Sequence, residues 1–67
     1  MVAESFDSRT LANMEVALER VCKTLSIGAE EHWARRHIAS KILECAAGGE
    51  TTLGGLTEAG LTAATEL

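Results

Sequence analysis

Residues 30–47, EEHWARRHIASKILECAA, decide how this chain folds, because read as a helix they offer two separate surfaces. At helical spacing Ala34, Ile38, Ile42, Cys45 and Ala46 share one side. Trp33, Ser40, Leu43 and Ala47 gather roughly opposite, with Arg36 and His37 among them. A helix with one apolar stripe needs one neighbour; this one can use two.

Working upstream, the first neighbour is a helix predicted over residues 8–26. Asp7 or Ser8 suits its N-cap, because a short side-chain oxygen there accepts from an otherwise unpaired backbone N–H of the first turn. Leu11, Met14, Leu18, Val21 and Leu25 alternate steps of three and four, with Cys22 beside them, and form a narrow seam expected to pack against the second helix. Glu19 and Lys23 are placed to pair on its outer side. Ser26, Ile27 and Gly28 end it, with Gly28 expected in the left-handed position after the last turn.

The second helix is then predicted over residues 29–47, with Glu30 and Glu31 in its first turn, Glu31 paired with Arg35, and Gly48 and Gly49 as its stop. The short connection makes the two helices an antiparallel hairpin. Residues 1–7 have no periodic pattern and read as a loose arm, with Phe6 folding back over a helix end.

Downstream, ETTLGGLTEAGLTAATEL is weaker. Thr51 or Thr52 can cap a short helix over residues 52–60 that uses Leu53, Leu56 and Ala59 or Gly60, and residues 61–67 read as a frayed tail. Three glycines in seven residues (Gly54, Gly55, Gly60) each cost up to about 1 kcal/mol relative to alanine in a helix interior. The leucines are expected to cover the Trp33/Leu43 side of the second helix. The fold class is therefore all-α: an antiparallel helical hairpin with a short third C-terminal helix, in one small domain.

Composition supports this class and narrows the functions. Proline and tyrosine are absent and the aromatics are only Phe6 and Trp33, which disfavours a sheet. The chain opens at methionine without a basic leader or any apolar run long enough to span a bilayer, so it is read as a whole, soluble, cytoplasmic chain with no membrane partner. The net charge of −4 comes entirely from the C-terminal third, where Glu44, Glu50, Glu58 and Glu66 stand without a cation. A chain of 67 residues buries only about 60% of the surface its unfolded form exposes, so it needs a supplement to its core, and a second copy is one such supplement.

The residues offer little chemistry. Cys22 and Cys45 lack a CxxC or a ligand cluster, and the hairpin register sets them about 15 Å apart, beyond the reach of a disulfide; they read as small buried hydrophobes. His32 and His37, five residues apart, miss the i, i+4 spacing of a metal pair. No catalytic order, phosphate-cradling loop or ligand motif is present, so no enzyme activity, cofactor, metal or small-molecule substrate is expected.

The group with the composition of a recognition surface is His32, Trp33, Arg36, His37, Ser40 and Leu43, because tryptophan and arginine are favoured interface anchors. The competing role for Trp33 is to cover the hairpin end or the third helix. The function expected is a non-enzymatic protein–protein interaction module that pairs with itself as a homodimer or docks on another protein. The alternative is a small nucleic-acid-binding regulator using Arg35, Arg36 and Lys41, which the acidic balance opposes.

Overall fold

A computed structural model describes residues 6–28 and 31–66. Three helices fold together: α1 (Ser8–Thr24), α2 (His32–Ala47) and α3 (Leu53–Ala64). The all-α hairpin with a third helix is the observed architecture.

Helix α1 starts where the sequence proposes. Asp7 is its N-cap, and its carboxylate accepts from the Thr10 backbone N–H at 2.8 Å. Hydrogen bonding from Thr10, first through its side chain and then through its backbone, holds the Asp7 carboxyl below its usual range, with a smaller pull from Arg9. The end of α1 corrects the expectation for Gly28, because the left-handed residue is Ser26, at φ 56°. Ile27 N–H donates to Cys22 O (2.8 Å) and Ser26 N–H to Lys23 O (3.2 Å), which is a Schellman closure with serine in the place glycine usually takes. Ile27 follows by packing onto the core.

Helix α2 begins at His32, later than residue 29, because Glu31 is non-helical (φ −97°, ψ 62°) and serves as N-cap. Its carboxylate accepts from Gly28 N–H at 3.0 Å and so bridges the turn instead of pairing with Arg35. The expectation for Glu30 lies outside the described residues. The far end closes as expected at the glycines: Gly49 has φ 110°, Glu50 N–H reaches Cys45 O at 3.2 Å and Gly49 N–H reaches Ala46 O at 3.0 Å.

Helix α3 runs four residues past the expected end at residue 60, so the predicted frayed segment is helical through Ala64. Thr52 caps it, accepting from Gly55 N–H at 3.1 Å while its hydroxyl donates to the Glu50 carboxylate. The stripe Leu56, Gly60, Ala63 steps by four and three into the core, and this burial carries the helix past its glycines.

The core is Ala17, Val21, Cys22, Ile38, Ile42, Ala46 and Leu56, edged by Phe6, Met14, Leu18, Ile27, Cys45, Leu53 and Ala64. Helix α3 packs on α1 and α2 alike, and more extensively than they pack on each other. It therefore lies along the Val21/Ile38/Ile42 side of the hairpin and not on the Trp33/Leu43 side the sequence had suggested. The α1 seam is likewise rotated. Its buried line is Thr10, Ala17, Val21 and Cys22, while Met14 and Leu18 are half-buried and Leu11 and Leu25 are exposed. Two neighbours pull α1 toward the small-residue line between them, and the leucines are left at its margin.

Candidate functional site

Alpha-helical geometry turns about 100° per residue, so Trp33, Arg36, Ser40, Leu43 and Ala47 all point away from the Ile38/Ile42 line. All five are exposed, as is His32, and Trp33 is the most open large apolar side chain among the described residues, at 64%. At that exposure about two thirds of the Trp33 side chain is open to solvent. The face is a surface about 15 Å long from Trp33 to Leu43.

His37 separates from this group. It is half-buried on the side of α2 that meets α3, with Nε2 3.4 Å from Glu66 Oε1. That nitrogen is shielded from solvent and makes no well-directed hydrogen bond among the described residues. His37 thus belongs to the α2–α3 junction, and His32 to the exposed turn end. Among the described residues no cluster of His, Cys, Asp and Glu could hold a metal ion. Both cysteines are free, Cys22 buried and Cys45 half-buried.

The cations of the nucleic-acid alternative do not form a stripe. Arg35, Arg36 and Lys41 are separated around the helix by about 100° to 140° from one another. Lys41 also pairs with Glu44, with Nζ 3.7 Å from Oε1. Helix α3, which a helix-turn-helix reading would use for recognition, carries Glu58 and no lysine or arginine.

Sequence reasoning missed a second surface. Leu11, Met14, Glu15, Leu18, Ala39 and Ile42 line a groove of about 190 Å³ between α1 and α2. Because α3 occupies the opposite side of the hairpin, this groove faces outward, with Leu43 exposed beside it. The signal was in the sequence as a leucine seam, but a seam assigned wholly to an internal neighbour leaves nothing for an external one. No helix among the described residues is long and apolar enough to cross a membrane. No protein-family model, curated protein or solved structure matches this chain, so its site rests on its own geometry.

Proposed function

We propose that this chain is a non-enzymatic helical interaction module that docks through the outer face of the α1–α2 hairpin. One observation carries the reading: α3 closes only one side of the hairpin, and the other side keeps Leu11 48% and Leu43 43% exposed around an apolar groove. Exposed leucines scattered singly are ordinary, but here they flank a concave strip that runs between two helices. A groove of this size takes side chains from another helix and falls below the few hundred Å³ that typically hold a small-molecule substrate. Trp33, about 80° around α2 from Leu43 and nearer the turn, is a further exposed aromatic of the kind that anchors interfaces. Two free thiols fit the reducing conditions of a cytoplasmic setting.

The test uses Leu43→Glu, which places a charge on the rim without touching the core. The native chain and the variant should show the same helicity by circular dichroism. Only the native chain should show concentration-dependent association or retain a protein ligand. Equal retention by both would remove this face from the site, and Trp33→Ala measures whether the anchor contributes.

A further inference from the structure

The outer face has rims of opposite charge. On α1, Glu15 and Glu19 stand exposed just outward of Leu11 and Leu18. On α2, Arg36 stands exposed just outward of Ala39, with His32 and Arg35 nearer the turn. None of these carboxylates and guanidinium groups forms an ion pair among the described residues.

The hairpin register relates the two rims. Leu18 shares the groove with Ala39, and Met14 with Ile42. In the same register Leu43 is level with Met14, and Glu19 lies within about two residues, or 3 Å, of the level of Arg36. A second copy turned by 180° about an axis parallel to the helices sets α1 of each copy over α2 of the other at matching height. The acidic rim then meets the basic rim twice, which is the self-complementarity a two-fold interface requires.

We propose that the face binds a second copy of this chain, with Leu43 of each copy seated over the other's groove and Glu19 opposite the partner subunit's Arg36. This rests on the docking reading above and names its occupant. Alpha1 is about 25 Å long and two helices side by side are about 20 Å wide, so the face offers about 500 Å² per copy. A pair covers about 1,000 Å², near the lower bound for specific association, so the dimer is reversible and concentration-dependent.

Charge exchange tests the arrangement. Light scattering from micromolar to millimolar concentration should show the native chain passing from monomer to dimer. Glu19→Arg and Arg36→Glu should each weaken the dimer roughly five- to tenfold, since symmetry makes each substitution act twice. The double variant should return to within about twofold of native, and circular dichroism should show all three equally helical. A chain that stays monomeric throughout, or a double variant as weak as the product of the two single effects, overturns the proposal. Leu43→Glu separates the two levels of the reading: if it dissolves a dimer that the charge exchanges leave unchanged, the docking face stands and this pairing falls. If neither change alters the dimer, both fall.

Discussion

Gly60→Ala tests how closely α3 is seated. A Cβ built at Gly60 would lie 2.8 Å from Val21 Cγ2, 3.1 Å from Ile42 Cδ1 and 3.3 Å from Ile38 Cγ2. Carbon atoms in contact prefer about 3.5–4.0 Å, so the Val21 methyl must retreat by about 0.7 Å or more. It has nowhere to go, since Val21 and Ile38 are 0% exposed and Ile42 is 1% exposed. Val21 is also β-branched on a helix, which holds its χ1 in one rotamer.

Overpacking of this kind costs about 1–3 kcal/mol. Replacing a mid-helix glycine with alanine returns about 1 kcal/mol. The net expectation is a loss of up to about 2 kcal/mol, or up to roughly 14 °C in Tm for a domain of this size. Gly54→Ala is the control, because a Cβ there meets nothing within 4 Å. It keeps the helix-propensity gain without the clash and should stabilise by a few tenths to about 1 kcal/mol. Thermal and urea unfolding of the two variants should move in opposite directions. Val21→Ala removes the obstructing methyls, so the Val21→Ala/Gly60→Ala double variant should be more stable than the sum of the single effects by about 1 kcal/mol. A Gly60→Ala protein as stable as Gly54→Ala would refute the close approach of α3.

Substitutions at three further positions address the helix ends. Ser26→Gly relieves a left-handed residue with φ 56° that has no compensating side-chain bond among the described residues, and it should raise stability by about 0.5–1 kcal/mol in thermal unfolding. Thr52→Ala removes the acceptor for Gly55 N–H and should cost about 1 kcal/mol, with α3 amides losing hydrogen-exchange protection before those of α1. Asp7 has a folded-state pKa lowered by its Thr10 hydrogen bonds, so its contribution is present above the ordinary carboxylate range and is lost as the pH falls through the lowered value. Asp7→Asn keeps a cap oxygen and should flatten that part of the acid limb in a titration of helicity, whereas Asp7→Ala should lose the cap at neutral pH too.

Each helix announced itself through a different signal, and the signals differ in how far they reach. Caps are local, so Asp7 and Thr52 were legible from residue type and spacing alone. The inner stripe of α2 was legible because Ala34, Ile38, Ile42 and Ala46 keep one side over about three turns, and all four are buried. The extent of α3 was not legible, because Gly60 reads as a helix breaker until Val21 is known to lie against it. Ser26 was missed for a related reason: Gly28 has the better intrinsic preference, but the Ile27 contact with the core fixes where the chain must turn. Of the recognition group, His32, Trp33, Arg36, Ser40 and Leu43 are exposed, whereas His37 is half-buried with Nε2 3.4 Å from Glu66 Oε1, a contact with α3's far end that spacing along α2 alone does not reveal.

The stability of the chain and its proposed pairing are linked through the small size of the core. Among the described residues the largest fully buried side chains are Ile38, Ile42, Leu56 and Val21, and each contributes about 1.5–3 kcal/mol, so ordering the chain leaves little surplus. A second copy that binds only the folded hairpin draws the folding equilibrium toward the folded state, by an amount that grows with concentration. The native Tm should therefore rise as the protein is concentrated through the dimer's dissociation constant, by several degrees for each added kcal/mol. Leu43→Glu leaves the core untouched but removes the contact over the groove, so its Tm should not change with concentration. Native and variant curves that rise together would mean that the stabilising contact lies elsewhere on the molecule. Two flat curves would mean that the three helices alone hold the fold.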